Sequence, residues 1–372
     1  MDLVNLFLRS ACLAAAFGVT AWSSPRADAA DASKTRNKAE LEAATRLQVF
    51  LDRAQFGPGK IDGRYGEFTV RALALYRQSR GEAVPAAEAG KPEKDKAPDV
   101  TGLDFTAVDP VFIEYTVSEA DLQNVGELPS GVPEQAKLKV LPYKDAAEAI
   151  AEKFHCDVDF LAELNPGKTK QIKAGDQLTV PNVEPFELAT VKDLKPGQEV
   201  VAQPAANEIE DPAESASEES ANQKSAGKKE ETKQPAAVST SVKVDTKTNM
   251  LTVFDGEKLL AAYPVTIGSA RTESPLGDWK VRSVAKMPNF RHDEKMLNEG
   301  ERSDKFHLLP PGPNNPVGVI WIALNKKGIG LHGTSDPDAI GRSASHGCIR
   351  LANWDIVRLA GKVKAGVAVS IH

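Results

Sequence analysis

A polar tract from Gln203 to Val238 is the sequence feature that most constrains how this chain of 372 residues can fold. The tract is rich in Ala, Glu, Ser, Lys, Gln and Pro, and it contains no aromatic residue. Such a segment cannot bury enough apolar surface to offset the entropy lost on ordering, so residues 203–238 are predicted to form a disordered linker. The chain is therefore predicted to be multidomain, with residues 240–372 able to fold when separated from the rest.

The C-terminal segment 240–372 is predicted to be mainly β. Alternating or continuous apolar runs predict its strands: 242–244, 251–253, 259–267, 279–284, 319–324, 328–332 and 367–371. The run 319–324 is almost entirely apolar, which predicts a strand in the interior of the sheet. Asn353 is predicted to cap a helix at 354–363. Many strands and one late helix indicate a β-sandwich or barrel-like domain.

A cysteine, two histidines and an arginine lie close together in this segment, at His332, His346, Cys348 and Arg350. A free thiol is mostly protonated at neutral pH, so a nucleophilic cysteine needs a nearby base or cation that favours the thiolate. Both histidines are candidates for that base. Gly347 leaves room for a carbonyl carbon to approach the sulfur, and nearby backbone N–H groups are candidate donors to an oxyanion. The planar guanidinium of Arg350 suits a substrate carboxylate.

Two other interpretations of these residues remain open. A lone cysteine such as Cys348 is commonly a small buried apolar residue. The thiol and the two imidazoles can also ligate zinc, but two histidines and one cysteine on glycine-rich loops match no common zinc spacing. We therefore expect no metal site and no cofactor.

The sequence His-Gly-Thr at 332–334, followed by Ser-His-Gly-Cys-Ile-Arg at 345–350, resembles the signature of the YkuD-type L,D-transpeptidases. The resemblance extends from Val242 to the end of the chain and includes the segments 274–279 and 313–318. It implies a YkuD-type β-sandwich catalytic domain that acts on the stem peptides of peptidoglycan.

The resemblance also implies how the reaction proceeds. Cys348 attacks the carbonyl of the third residue, a diamino acid, of a tetrapeptide stem, and D-Ala leaves as a thioester forms. His332 is the general acid and base, and the backbone carbonyl of Gly333 orients its ring. Four further residues are implied to complete the site, two flanking the nucleophile near the oxyanion and two binding substrate: His346 and Gly347, and Ser345 and Arg350.

The acceptor of the acyl group remains open at this stage. An amine from a second stem gives a 3→3 cross-link, whereas water gives L,D-carboxypeptidase activity through the same thioester. A non-catalytic cell-wall-binding protein is the alternative from a different functional class. The presence of both Cys348 and His332 argues against it, because a scaffold needs neither residue.

Charge is distributed unevenly along the chain. Residues 241–372 hold 18 of the 46 Lys and Arg residues and 13 of the 52 Asp and Glu residues, a net charge of +5 that leaves −11 for the rest. A basic domain suits a substrate rich in carboxylates. Nucleic acid is not an expected partner, because no basic stripe carries interleaved aromatic residues. The protein is predicted to be monomeric.

A small all-α module is predicted at residues 39–81. Apolar residues recur every three or four positions from Leu41 to Ala54 and again from Phe68 to Tyr76, which predicts two helices. The loop between them, Pro-Gly-Lys-Ile-Asp-Gly-Arg-Tyr-Gly at 58–66, resembles that of helical peptidoglycan-binding domains, with a spacer as the alternative. Residues 82–110 are predicted to be a linker.

A second small module is predicted at residues 111–185. Its helical pattern from Tyr143 to Phe154, its Leu-Asn-Pro at 164–166 and its Val-Pro at 180–181 resemble a LysM carbohydrate-binding module of βααβ architecture. An insertion around Gly126 to Val140 departs from that family, so glycan binding and a purely structural role both remain open.

The N-terminal residues 1–30 are predicted to be a signal peptide, because an apolar run from Leu3 to Ala16 is followed by small residues near Ala29. An uncleaved anchor is the alternative. Either implies export to the periplasm or cell envelope. The mature chain would hold only Cys156 and Cys348, so no disulfide framework is expected, although a bond between these two remains open. Cys156 is interpreted as a small buried residue.

The charged segment 291–307 interrupts the strand pattern of the C-terminal domain. It is predicted to be either a lid over the cleft or a solvated surface loop.

Overall fold

A computed structural model describes residues 37–84, 96–191, 199–200, 239–268, 274–299, 301–342, 345 and 347–372. The predicted signal peptide, the predicted linker 203–238 and His346 lie outside these residues. The helices are α1 (Lys38–Arg53), α2 (Glu67–Ser79), α3 (Glu119–Leu122), α4 (Val132–Gln135), α5 (Ala146–Lys153), α6 (Val158–Leu164), α7 (Glu294–Glu299) and α8 (Asn353–Ala360). Within the described ranges, no helix has the length and apolar character needed to cross a membrane.

The strands begin with β1 (Phe112–Thr116), β2 (Gln177–Pro181) and β3 (Glu199–Val200). The C-terminal part of the chain contains the others: β4 (Thr240–Asp245), β5 (Met250–Asp255), β6 (Lys258–Pro264), β7 (Gly277–Lys286), β8 (Asn289–His292), β9 (His307–Leu309), β10 (Ile320–Leu324), β11 (Gly330–His332), β12 (Ile349–Arg350) and β13 (Ala368–Ile371). Residues Lys38–His372 form one unit.

Eight of these strands form one sheet in the order β12-β11-β10-β7-β13-β4-β5-β6. The pairs β11–β12 and β13–β4 are parallel, and the other neighbours are antiparallel. The two ends of the sheet meet, because the N–H of Thr266 donates to the carbonyl of Arg350 and the N–H of Arg350 donates to that of Thr266, each at 2.9 Å. The sheet thus curls back on itself, and the predicted mainly-β class of this domain is confirmed.

Strand β10 lies inside the sheet between β11 and β7, as its continuous apolar sequence predicts. Ile320, Ile322 and Leu324 are each at most 2% exposed. They pack in one core with residues of β4, β5, β7 and α8. Because β11 and β12 continue the sheet from β10, this buried strand fixes the position of the segments that contain His332 and Cys348.

Asn353 does not cap the last helix, and this prediction is wrong. The N-cap is Ala352, and Asn353 is the first helical residue. The Asn353 side chain is fully buried and points away from its own helix end, where it accepts a hydrogen bond from the N–H of Val319 at 3.2 Å. A tertiary contact has therefore replaced the local capping role that the residue type favours.

The segment around residues 291–307 has secondary structure of its own. It includes the end of β8, helix α7 and the start of β9. The Asp293 carboxylate accepts hydrogen bonds from the N–H groups of Met296 at 3.1 Å and Ser303 at 2.8 Å. Phe306 and Leu308 are about 40% exposed.

The glycine loop at 58–66 is organised by Gln48 of α1. The Gln48 amide oxygen accepts from the N–H of Gly63 at 2.9 Å, and its NH₂ group donates to Asp62 at 2.9 Å. Gly63 has a positive φ of 65°, and a Cβ there would lie 3.1 Å from the Phe160 ring. A larger residue at position 63 would therefore be strained and crowded.

The segment 111–185 has a strand, two helices and a second strand as its frame. Strands β1 and β2 pair antiparallel from Phe112–Pro181 to Thr116–Gln177, and α5 and α6 lie between them in sequence. The insertion contains the short helix α4, and α3 lies directly before it. Leu128, Val132, Ala136 and Leu138 pack against the core of the C-terminal domain.

The helical module covers an edge strand of the large sheet. The N–H of Ala262 in β6 donates to the carbonyl of Gln55 at 3.0 Å, and the N–H of Gly57 donates to that of Ala262 at 2.7 Å. Unpaired edges expose backbone donors and acceptors, so this contact satisfies groups that would otherwise face water. Buried side chains of α1 and α2 also share an apolar cluster with Met250 and Leu259. Residues 240–372 therefore share an apolar cluster with the helical module, which the polar tract at 203–238 did not indicate.

The predicted linker 82–110 is likewise packed at its C-terminal end. Val108 is 1% exposed, and the Phe105 ring contacts the Phe50 ring of α1 at 5.2 Å between centroids. The carbonyl of Ala107 accepts a hydrogen bond from Arg53 at 2.6 Å. Phe105 and Val108 pack into apolar clusters of the folded modules, so the C-terminal end of residues 82–110 is not a free linker.

A buried carboxylate joins all three parts of the protein. Asp52 of α1 is fully buried and accepts two hydrogen bonds from Arg358 of α8, at 2.9 and 3.0 Å, and one contact from His155 at 3.0 Å. Burial alone would raise the pKa of Asp52, yet the charge of Arg358, together with His155, holds it well below its usual range. The carboxylate is therefore ionised and paired at neutral pH.

We predict that Asp52→Ala lowers the free energy of unfolding by about 3–5 kcal/mol, because Arg358 would lose both hydrogen bonds to Asp52 and keep the longer, 3.5 Å contact with Asp355. Chemical denaturation of the full chain measures this change. The control is Glu42→Ala, which removes an exposed ion pair with Arg46 on the same helix and should cost about 0.5 kcal/mol. Equal losses in the two variants would contradict the assignment. Since the pKa of Asp52 is depressed, its contribution should be present above about pH 4 and be lost as the pH falls.

Candidate active site

His332 lies at the end of β11, where the sheet and one aromatic ring fix its imidazole. In the β10–β11 ladder it is paired with Trp321, whose indole stacks on the imidazole at 5.2 Å between ring centroids and 17° between planes. The Nδ1 atom lies 2.6 Å from the carbonyl oxygen of Gly333. Because a carbonyl only accepts, Nδ1 must hold a proton, and in the neutral imidazole this leaves Nε2 unprotonated and able to accept one.

Cys348 lies directly before β12, next to the strand that ends at His332. Parallel pairing matches Leu331 with Ile349 and His332 with Arg350. The thiol is 3% exposed and its Sγ is 3.6 Å from the carbonyl oxygen of Gly328. Strand pairing thus places the predicted nucleophile and base on neighbouring segments of one sheet.

Ser345 and Gly347 shape the turn that presents the cysteine. The Ser345 hydroxyl donates to the carbonyl of Cys348 at 2.5 Å and accepts from the N–H of Gly347 at 3.1 Å. The Gly347 carbonyl accepts from Ser274 at 3.0 Å, and its φ of 108° is a conformation that favours glycine. Ser345 is 2% exposed. Its contacts show that it positions the loop, and the substrate contact implied by the resemblance remains a prediction.

Arg350 presents an unused donor beside the cysteine. Its Nε atom is buried and has no hydrogen-bond acceptor among the described residues. Burial lowers the pKa of Arg350 from its ordinary value, against the opposing influence of Cys348 and Asp336. A buried guanidinium N–H without a protein acceptor is suited to an anionic ligand group.

Burial keeps both reacting groups of the resting site neutral. It lowers the pKa of His332 to about 3, and the nearby positive charge of Arg350 acts in the same direction. It raises the pKa of the Cys348 thiol to about 11, against the weaker effects of a backbone contact with Gly330 and the charge of Arg350. Both shifts disfavour the charged forms, so burial favours a neutral resting thiol over the thiolate expected from the sequence.

The other predicted features are only partly described by the structure. His346 lies outside the described residues, so its position relative to Cys348 is not given. Within the described ranges, no group of three or more His, Cys, Asp or Glu side chains is arranged to hold a metal ion. Cys156 and Cys348 are both free and buried.

Comparison with known proteins places this site in a family. Residues 239–371 match the model of the YkuD L,D-transpeptidase catalytic domain. The putative L,D-transpeptidase YkuD of Bacillus licheniformis is 29% identical over 137 residues, which are 37% of this chain and 68% of that protein. The putative L,D-transpeptidase YqjB of Bacillus subtilis is 31% identical over 133 residues, 34% of this chain and 68% of that protein.

The chain belongs to the YkuD family of L,D-transpeptidases. The chain spans about two thirds of the length of the two Bacillus relatives. A solved L,D-transpeptidase from Stackebrandtia nassauensis is 25% identical, with a TM-score of 0.27, covering 37% of this chain and 58% of that one. The peptidoglycan-binding and LysM resemblances of residues 39–185 remain predictions.

Sequence analysis missed two residues of this L,D-transpeptidase site. Trp321 was interpreted only as part of an apolar strand, and its contact with His332 depends on strand pairing that no local pattern specifies. Gly330 permits that contact, because a Cβ there would lie 2.8 Å from the Trp321 ring. Ser274 lies in a segment that the family resemblance had singled out, but its bond to Gly347 depends on the fold.

We predict that alkylation of resting Cys348 by iodoacetamide becomes faster with pH well beyond the ordinary thiol pKa of about 8.5, because its own pKa is raised to about 11. Mass spectrometry of the Cys348 peptide across a pH series measures the rate. A short unstructured cysteine peptide serves as the control and should titrate near its ordinary value. A rate for Cys348 that reaches its plateau below pH 8 would contradict a neutral resting thiol.

Proposed function

We propose that this L,D-transpeptidase domain transfers the acyl group of a peptidoglycan tetrapeptide stem to an amine acceptor, forming 3→3 cross-links. The observation that carries the proposal is the contact between Nδ1 of His332 and the carbonyl of Gly333, which leaves Nε2 as a base on the strand adjacent to Cys348. The family match supplies the class of substrate, since L,D-transpeptidases act on stem peptides.

In the first half-reaction, Sγ of Cys348 attacks the carbonyl carbon of the third stem residue. Nε2 of His332 accepts the thiol proton as the S–C bond forms, so no free thiolate accumulates. The C–N bond to D-Ala then breaks, and the imidazolium returns the proton to the departing amine. The products of this step are free D-Ala and a thioester on Cys348.

In the second half-reaction, an acceptor amine attacks the thioester carbonyl. It transfers a proton to Nε2 of His332, the C–S bond breaks, and the departing sulfur of Cys348 takes up that proton. The first half-reaction thus starts from a neutral cysteine and a neutral histidine, and the second restores that state, which burial favours. The catalytic role of Gly333 is to keep Nδ1 protonated through both half-reactions.

Two hydrogen-bond donors of the site are suited to the donor stem. The buried Nε of Arg350, which has no acceptor in the described part of the chain, suits a stem carboxylate. The N–H of Gly347 already donates to Ser345, so the N–H of Cys348 is the better candidate donor to the oxyanion of the tetrahedral intermediate.

The burial of the two reacting side chains favours an amine acceptor over water. His332 is 2% and Cys348 is 3% exposed. Exclusion of water protects a thioester from hydrolysis until an acceptor occupies the site. L,D-carboxypeptidase activity is the outcome if water reaches the thioester at a competing rate.

We also propose that the enzyme works outside the cytoplasmic membrane, in the periplasm or cell envelope, where its substrate lies. The predicted signal peptide and the two predicted wall-binding modules support this placement. Peptidoglycan glycan strands are the proposed ligands of those modules, and the protein is proposed to act as a monomer.

We predict that purified tetrapeptide muropeptides give a covalent adduct whose mass equals the donor minus D-Ala, followed by a cross-linked dimer. Intact-mass analysis of the protein and chromatography of the muropeptides detect these two species. Cys348→Ala should abolish both, whereas Cys156→Ala, which removes a buried thiol in another module, should leave both. A tripeptide product without dimer would identify a carboxypeptidase, and turnover by Cys348→Ala would contradict the nucleophile assignment.

A further inference from the structure

The insertion that departs from the LysM pattern is docked on the catalytic domain, close to the active site. The N–H of Leu141 donates to the carbonyl of Pro311 at 2.9 Å, and the N–H of Asn314 donates to that of Leu141 at 3.3 Å. The Asn314 side chain also donates to the carbonyl of Pro142 at 2.7 Å. Leu141 is fully buried in the catalytic core. The middle module, residues 111–185, is therefore fixed at its insertion to the loop that precedes β10.

Glu152 of α5 extends this contact into the interior of the catalytic domain. Its Oε1 accepts a hydrogen bond from the side-chain NH₂ of Asn353 at 2.9 Å. Its Oε2 accepts from the hydroxyl of Tyr143, the residue at the end of the insertion. Burial raises the pKa of Glu152 to about 7, and the bonds from Tyr143 and Asn353 oppose that rise. A buried carboxyl is costly unless such partners satisfy it.

Asn353 in turn lies against the backbone that orients the catalytic base. Its Oδ1 accepts from the N–H of Val319, and its NH₂ also donates to the carbonyl of Pro313 at 3.2 Å. Both Gly333 and Gly318 lack a side chain where Asn353 approaches, since a Cβ at either position would overlap its Oδ1. Asn353 is 0% exposed, so no water layer separates it from this backbone.

The last contact in the series is the one between Gly333 and the catalytic histidine. The Gly333 carbonyl accepts the Nδ1 proton of His332. A shift of Asn353 would move the Gly333 peptide against which it packs, and with it the acceptor that selects the tautomer of His332. Small displacements of catalytic groups can cost about 10²-fold in rate.

We propose that Glu152 of the middle module is a positioning residue for the catalytic base, acting through Asn353 and the Gly333 peptide on His332. The expected effect of Glu152 on turnover rests on the proposed function. The expected effect of Glu152 on the His332 ring does not. On this account the middle module has a role in the active site that is independent of any glycan it binds.

The test compares Glu152→Ala with Glu152→Gln in the full chain. Alanine removes the acceptor for Asn353, whereas glutamine keeps an amide oxygen at the same place. We expect kcat for muropeptide turnover to fall about 10-fold to 100-fold in Glu152→Ala, with KM changed much less, and to recover in Glu152→Gln. If the alanine variant does not fold, the similarly sized Glu152→Met replaces it.

The matched control is Lys153→Met on the same helix. Lys153 is also buried, and its ion-pair partners Asp121 and Glu187 both lie outside the catalytic domain. This variant should lower the thermal stability of the protein. Its kcat should stay within about 2-fold of wild type, because Lys153 has no contact among the residues that the structure describes that leads to His332, and distant sites act independently.

A second readout does not depend on activity. The ¹⁵N shifts of the His332 ring, assigned by comparison with His332→Ala, report which nitrogen is protonated. We expect the Nδ1–H form in wild type, Glu152→Gln and Lys153→Met, and a mixture of tautomers in Glu152→Ala. A folded Glu152→Ala with wild-type ring shifts would overturn the proposal, as would equal loss of kcat in Lys153→Met. If wild type shows no muropeptide turnover while the ring shifts behave as expected, the proposed function fails and the positioning of His332 stands.

Discussion

The bidentate contact between Asp52 and Arg358 is the interaction on which the arrangement of this protein most depends. The Asp52 side chain is fully buried, and its contact with Arg358 connects α1 of the helical module to α8 of the catalytic domain. Removing either partner would leave a charge in the interior, which is far more costly than losing an exposed ion pair. Helix α8 therefore cannot move away from the helical module without exposing Asp52 to water or leaving it unpaired.

The same helix connects this junction to the active site. Its first residue, Asn353, packs on the Gly333 peptide and bonds to Glu152, while Arg358 lies near its other end. One helix of eight residues thus contacts the helical module, the middle module and the backbone beside His332. Because these polar contacts are buried, the position of His332 depends on the helical module, the middle module and the catalytic domain together. It also accounts for the neutral resting pair, because the packing that orders His332 and Cys348 excludes the solvent that would stabilise their charged forms.

Local patterns in the sequence predicted the catalytic sheet well. Alternating apolar and polar residues predicted the strands around Val242 and Val253, and the continuous apolar run around Ile322 predicted an interior strand. The motif with His332 and Cys348 supplied the predicted base and nucleophile, because an activated thiol needs a base and both residues fall in one short segment. The contact of His332 with Gly333 was implied by the family resemblance, and the structure has that contact.

Contacts between modules were not predictable in the same way. Asp52 falls within a helix whose periodicity indicates only which face is apolar, and nothing local pairs it with Arg358. Asn353 has the residue type of a helix cap, and a tertiary partner changed its role. The insertion before Tyr143 registered only as a departure from the LysM pattern, since its docking surface lies on a loop far away in sequence. The polar tract at 203–238 suggested independent domains, although a tether can connect parts that pack together.

Cleavage of the full chain at a protease site introduced within 203–238 would test most directly whether these parts form one cooperative unit. Size-exclusion chromatography and calorimetry of the cleaved protein provide the measurement. We predict that the two pieces elute together and unfold in a single transition, because the buried contacts at Asp52 and Glu152 survive cleavage of the tether. The opposite result is that the two pieces separate on the column and that the C-terminal piece alone unfolds at the temperature of the intact protein. That result would contradict a single cooperative unit.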